Sequence, residues 1–142
     1  MSFTPFRHSI RVRWADCDPA QIAYTGRIPY FALEAIDAFW EAVTGDDWFR
    51  LNVDRQIGVP FVHMSIDFRS PVTPRHPLHC EVTLEKVGNS SVGFAVKGRQ
   101  NEVLCFEGSF IEAFVNATHN QSIPIPDSIR SRLLPVLSDS AG

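Results

Sequence analysis

Hydrophobic and polar positions alternate strictly near the start of the chain. Phe6, His8, Ile10, Val12 and Trp14 share one face of residues 6–14, and Arg7, Ser9, Arg11 and Arg13 share the other. A period of two predicts a half-buried strand. Its arginine face reads as a solvated sheet face, with contact to a phosphorylated ligand as the other reading. Over residues 30–43 the period changes. Glu34, Asp37 and Glu41 recur at intervals of three and four, and every other position is aromatic, aliphatic or alanine. A helix apolar over most of its circumference has to be nearly enclosed by protein. Pro29 suits its first turn and Gly45 the position just past its end. Asp46 and Asp47 are both placed to cap a short second helix over 48–56, closed by Gly58.

From residue 59 onward the pattern is that of strands. Val62, Met64, Ile66 and Phe68 alternate with His63, Ser65, Asp67 and Arg69. Pro71, Pro74 and Pro77 then interrupt the alternation. Leu78, Cys80, Val82 and Leu84 form the cleanest period-two run, and Gly88-Asn89-Ser90 is a hairpin turn. Val92, Phe94 and Val96 follow on an inner face. After a turn at 100–102, a strand over 103–115 is apolar on both faces, which suits a sheet interior or a subunit contact. Asp127 is placed to cap a closing helix to about residue 134, and 138–142 should fray. One strand, one buried helix and four further strands predict a two-layer α+β architecture.

A chain of 142 residues and 16.0 kDa is expected to form a single domain spanning 1–142. Its net charge of −3 makes nucleic acid an unpromising partner, and no apolar run reaches the length of a membrane span. Arg7, His8, Arg11 and Arg13 stand where a signal peptide needs its apolar segment, so a cytoplasmic location is expected. Cys17, Cys80 and Cys105 are too widely spaced for a disulfide framework or a zinc pattern, and the five histidines show no paired ligand spacing. No metal site is expected.

Chemistry concentrates between the first strand and the long helix, in Arg13-Trp14-Ala15-Asp16-Cys17-Asp18-Pro19-Ala20-Gln21-Ile22-Ala23-Tyr24. Two carboxylates lie two apart in a turn marked by Pro19. Turn chemistry alone accounts for an Asp before a Pro. A carboxylate in such a turn can also attack a carbonyl or activate water, provided backbone N–H donors hold the developing oxyanion. A helix N-terminus supplies such donors.

The Asp-Cys-Asp-Pro-Ala run resembles the acyl-CoA thioesterases of the hotdog fold, of the 4-hydroxybenzoyl-CoA thioesterase type. The likeness extends through the helix, Gly58-Val59-Pro60-Phe61 and the closing strands to about Asn116. It implies an antiparallel five-stranded sheet wrapped around one long central helix, in the order β-α-β4. It also implies that Asp18 is the catalytic carboxylate and that the Thr25 N–H is the oxyanion donor, with Asp16 stabilising the turn. Tyr24, Phe61 and His63 would line the acyl pocket, with a structural role as the other reading of His63. Glu34 would contact the substrate hydroxyl or else belong to a solvated helix stripe with Asp37 and Glu41. The chain departs from the family at Gln21, where relatives have glycine, and at Gly88-Asn89-Ser90, which lacks the basic residues that grip the nucleotide. The expected activity is hydrolysis of a small aromatic or short-chain acyl-CoA, without a cofactor other than the coenzyme A of the substrate. The alternative is a non-hydrolytic acyl-CoA or acyl-carrier-protein binding protein. Relatives pair strands across a two-fold, so a homodimer or homotetramer is expected.

Overall fold

The computed structural model describes residues 5–138. In chain order its elements are β1 (Phe6–Ile10), α1 (Arg27–Thr44), α2 (Trp48–Arg55), β2 (Ile57–Gly58), β3 (Phe61–Phe68), β4 (Leu78–Val87), β5 (Ser91–Gln100), β6 (Val103–Ala113), β7 (Val115–Asn116), β8 (Gln121–Ser122) and α3 (Asp127–Leu133). Five strands make one antiparallel sheet in the order β1-β4-β5-β6-β3. The order follows from two tight hairpins, β4–β5 and β5–β6, with β1 and β3 added at the edges. Asn101 and Glu102 turn the second hairpin with φ of 46° and 67°. These left-handed values match the twist of the flanking strands.

Alternation decides which side of the sheet is wet. Leu78, Cys80, Val82, Leu84, Val92 and Phe94 point inward and are buried against α1. Helix α1 turns Ile28, Ala32, Ala35, Ile36 and Trp40 toward the sheet. It is not enclosed as its composition suggests: Tyr30 is 63% exposed, and Glu34, Asp37 and Glu41 face solvent. The helix also begins earlier than residue 30. Gly26 precedes it without a side-chain cap, and the N–H groups of Arg27 and Ile28 bond back to the carbonyls of Tyr24 and Thr25. Gly45 ends it at φ 70°, its N–H reaching the Glu41 carbonyl.

Several other expectations are corrected. The first strand stops at Ile10, and Trp14, in a 3-10 turn, is 72% exposed. Strand β6 does lie in the sheet interior as expected, with Val103 and Ile111 exposed on its outward side. Strand β3 is a sheet edge, and its apolar positions are largely uncovered, Val62 being 62% and Phe68 56% exposed. Asp47, not Asp46, caps α2 by accepting from the Arg50 N–H at 2.8 Å. Pro126 holds the cap position of α3, so Asp127 is its first helical residue. A small sheet, β2-β7-β8, was not foreseen, because strands of two residues leave no periodic trace. Ser138 is buried and its N–H bonds to the Leu84 carbonyl, while 139–142 lie outside the described residues.

The core is aromatic, with Trp40 at its centre. Its ring meets Trp48 at 5.4 Å and Phe94 and Phe114 at 5.9 Å each, all edge to face. Such contacts are worth about 0.5–1.5 kcal/mol apiece beyond the area they bury. The indole N–H needs an acceptor in this setting, and Glu112 supplies it: Trp40 Nε1 donates to Glu112 Oε1 at 2.9 Å. Glu112 lies on the inward side of β6, between Phe110 and Phe114. Burial raises its carboxyl pKa from 4.5 to about 8; the Trp40 hydrogen bond lowers it and the Asp37 charge raises it further.

A carboxyl raised in the folded state stabilises the protein fully below its unfolded pKa, and that contribution disappears as pH rises toward the folded value. The stability of the fold is therefore expected to fall between pH ~4.5 and ~8, by on the order of 1 kcal/mol per pH unit from this group. Glu112→Gln keeps an acceptor for Trp40 and removes the ionisation, so urea denaturation across that range should give a flatter profile. Parallel profiles for the two proteins would defeat the assignment.

Candidate active site

Asp16 builds the turn that joins β1 to α1. Its Oδ2 accepts from the Arg13 N–H at 2.9 Å, and its Oδ1 accepts from Arg27 Nε at 2.9 Å and from the terminal guanidinium nitrogen at 2.7 Å. Its backbone carbonyl accepts from the Tyr24 N–H at 2.8 Å. Asp16 is buried, whereas the Arg27 side chain is 44% exposed. One residue thus fixes the end of the strand segment, the exit of the turn and the first residue of the helix.

Within that frame the chain doubles back. Cys17 and Ala23 form an antiparallel bridge, and the Asp18 N–H donates to the Ile22 carbonyl at 3.1 Å. Asp18 Oδ1 accepts from the Ala20 N–H at 2.9 Å, an Asx turn that holds the carboxylate at the tip while its other oxygen stays unengaged. Gln21 closes the loop at φ 68°. This conformation favours glycine, so the glutamine bears a backbone strain on the order of 1–2 kcal/mol. The departure noted in the sequence therefore leaves the turn's geometry in place.

The turn is joined to the proline-rich segment across the molecule, because the Ala23 N–H donates to the Val72 carbonyl at 2.8 Å. A cavity of about 280 Å³ opens beside this joint, lined by Ile22, Thr25, Ile28, Phe68, Val72 and Cys105 among others. Thr25 is at its edge. The Thr25 and Gly26 N–H groups take no acceptor among the described residues, since the first bonds of the helix are made by Arg27 and Ile28. The positive end of α1 thus presents free donors at the cavity. Tyr24 packs on the helix start: a Cβ on Gly26 would stand 2.7 Å from the Tyr24 ring, so the ring takes this position over a residue without a side chain. Cys105 is no nucleophile, because burial raises its thiol pKa.

Of the expected site residues only Thr25 lines this cavity; Asp18 and Tyr24 share its turn, and the others lie apart. Glu34 bonds His8 Nε2 at 2.7 Å and lines a separate cleft with Arg13, Arg27, Tyr30 and Asp37. Phe61 stacks edge to face on Phe110 at 6.3 Å. His63 is exposed on β3, opposite Ile111. One protomer therefore brings Asp18, Tyr24 and Thr25 onto a single turn and leaves Phe61, His63 and Glu34 elsewhere. The reading of the sequence missed Phe68, Val72 and Cys105 as cavity residues. The prolines around Val72 signalled an interruption between strands, and nothing local shows that this interruption folds against the acid turn.

An acid turn at the start of a helix, packed against an antiparallel sheet of the hotdog type, is the arrangement of a thioester hydrolase. The family model of the thioesterase-like superfamily matches residues 12–133, and the chain belongs to that superfamily. A thioesterase-superfamily protein of Jannaschia sp. CCS1 is 45% identical over 96% of this chain and 98% of its own, with a TM-score of 0.89. A 1,4-dihydroxy-2-naphthoyl-CoA thioesterase from Synechocystis shares the fold at 19% identity, 91% and 95% coverage and a TM-score of 0.82. A Staphylococcus aureus protein solved in complex with CoA does so at 9% identity, 96% and 86% coverage and a TM-score of 0.86. The comparison with curated proteins found no match.

If Asp16 holds the turn, Asp16→Asn should destabilise the fold by about 1–3 kcal/mol, the scale of charge-assisted hydrogen bonds, toward the lower end because Arg27 is half exposed. Chemical denaturation measures this directly. A loss below about 0.5 kcal/mol, the level of an ordinary surface change, would mean the turn holds without the pair.

Proposed function

We propose that this protein is an acyl-CoA thioesterase in which the Asp18 carboxylate attacks the thioester or activates water, while the Thr25 N–H stabilises the oxyanion. The observation that supports this reading is a carboxylate at the tip of an Asx turn, on the same turn that leads to the unbonded Thr25 N–H at the start of α1, with Ile22 and Thr25 lining a cavity of about 280 Å³. A thioester carbonyl is poorly resonance-stabilised, so these two elements suffice for the chemistry. A protein that only binds acyl groups has no use for a carboxylate presented in this way. The small, largely apolar cavity favours a compact aromatic or short acyl group, and the aromatic substrate of the Synechocystis relative agrees with that. The chain acts as a single hotdog domain in which the sheet wraps α1 as its central helix.

The proposal includes a two-fold assembly in which β3 pairs edge to edge with its copy, as a dimer or a dimer of dimers. An edge strand with exposed Val62, Met64 and Phe68 is unsuited to solvent. Pairing would also bring Phe61 and His63 to the neighbour's cavity. Light scattering should give a multiple of the 16.0 kDa chain mass, and Met64→Glu should reduce it. A parental monomer at micromolar concentration rejects this assembly.

Catalysis is tested with Asp18→Asn, which retains the acceptor for the Ala20 N–H. On benzoyl-CoA kcat should drop by at least about 10²-fold, the usual scale for a positioned acid–base group, with KM and stability nearly unchanged. The parent should also prefer benzoyl-CoA to palmitoyl-CoA in kcat/KM. Near-parental turnover by Asp18→Asn would put the catalytic carboxylate elsewhere.

A further inference from the structure

Among the described residues, every arginine except Arg11, Arg13 and Arg75 gives its guanidinium to a carboxylate, a hydroxyl or a backbone carbonyl. In a chain of net charge −3, the uncompensated guanidinium groups are thus gathered where residues 11–13 pass the loop at 73–77. Arg11 stands between two clefts, and their linings differ in charge. The cleft on the helix side, which holds Arg13, also holds Asp16, Glu34 and Asp37. Burial and repulsion from Glu41 and Glu34 raise the Asp37 pKa, so that side is unfavourable to an anion. The cleft on the opposite side, of about 390 Å³, is walled by Ser9, Arg11, Pro74, Arg75, His76 and Pro77, and no carboxylate lines it.

The loop carrying Arg75 and His76 is held from below. Gln100 is buried, and its side chain makes three hydrogen bonds to that loop. Nε2 donates to the carbonyls of Thr73 and His76, each at 2.8 Å, and Oε1 accepts from the Thr73 N–H at 3.0 Å. The Arg75 N–H bonds Thr73 Oγ1, and the Asn101 amide contacts the His76 ring. A surface loop pinned by a buried amide and flanked by Pro74 and Pro77 loses little freedom when a ligand docks. Its two cation-capable side chains and Arg11 are held there without an anion of the protein's own.

We infer that the cleft between Arg11 and the Gln100-anchored loop of Arg75 and His76 binds the phosphate groups at the nucleotide end of coenzyme A. This rests on the proposed acyl-CoA substrate and supplies the nucleotide contact that Gly88-Asn89-Ser90 does not offer. Guanidinium groups pair with phosphate oxygens in bidentate geometry, and the imidazole adds a further donor. Arg13 binds its own backbone N–H to Asp16, so the cationic segment is tied to the catalytic turn, and the pantetheine arm bridges from one to the other.

The test measures affinity by calorimetry for CoA, dephospho-CoA and adenosine 3′,5′-bisphosphate, and KM for benzoyl-CoA, on the parent and on R11Q/R75Q. Arg50→Gln, at an exposed arginine of α2, controls for overall charge. The double variant should bind CoA and the bisphosphate about tenfold or more weakly, as loss of charge-assisted phosphate contacts entails, while Arg50→Gln binds as the parent does. Unequal losses for CoA and dephospho-CoA assign the 3′-phosphate to the cleft; equal losses assign the diphosphate. Unchanged affinity in the double variant, or the same loss in Arg50→Gln, overturns the inference. If the parent hydrolyses benzoyl-CoA and R11Q/R75Q leaves KM unmoved, the inference falls and the thioesterase reading stands. If the parent binds the bisphosphate through Arg11 and Arg75 yet hydrolyses no acyl-CoA, the inference stands and the hydrolytic reading falls.

Discussion

The architecture of the site depends on one buried carboxylate. Asp16 accepts from the Arg13 N–H, from Arg27 at the start of α1, and through its carbonyl from Tyr24. These three partners fix where the chain leaves the sheet layer, how the turn closes and where the helix begins. A carboxylate taken out of water has to be compensated by donors, and here the donors are the groups whose positions matter. Asp18, two residues on, can then remain with one oxygen unengaged at the tip. The two aspartates differ in their bonding: Asp16 has both oxygens engaged, and Asp18 has one oxygen without a partner among the described residues.

The core and the site are separate systems. Trp40, Phe94, Phe114 and the buried Glu112 join the middle of α1 to the central strands, whereas the site hangs on the first turn of α1 and the loop around Val72. Gly26 has no side chain and carries the Tyr24 ring, so the helix start is shaped by close approach and not by a cap. Capping would have consumed N–H groups that are instead left without an acceptor among the described residues. The absence of a capping side chain before α1 thus leaves the first donors of the helix free, with Thr25 among the cavity's lining residues.

Elements long enough to repeat a period were legible in the sequence. The alternation of Leu78 to Leu84 and of Val92 to Val96 predicted buried faces, and Gly45 marked a helix end that φ of 70° accounts for. The Asp16–Asp18 turn stood out in the sequence because two carboxylates exceed what a connector requires. Three things were not legible. Composition could not say that Tyr30 on α1 would remain uncovered, since an apolar residue shows only that burial is favourable, not what performs it. The period-two run of β3 looks the same whether its apolar face meets a core or a neighbouring molecule. The third was Glu112, hidden in an apolar strand because its partner, the Trp40 N–H, lies 72 positions away.

The segment 70–77 shows why three prolines interrupt the sheet between β3 and β4. Its first part, Ser70 to Val72, walls the cavity beside the acid turn, and the Val72 carbonyl accepts from Ala23. Its second part carries Arg75 and His76 and is fixed by Gln100. An acyl-CoA is apolar at the reacting end and polyanionic at the other, and one short loop has the same polarity along its length. Apolar Pro71 and Val72 face the cavity, while Arg75 and His76 border a cleft without carboxylates. Flexible loop residues would let these two ends move independently, and each would then have to be ordered separately on binding. Proline restricts φ throughout, and hydrogen bonds from Ala23 at one end and Gln100 at the other fix the spacing between them. In the proposed reading, this rigid segment measures the substrate's two chemically different ends against one another.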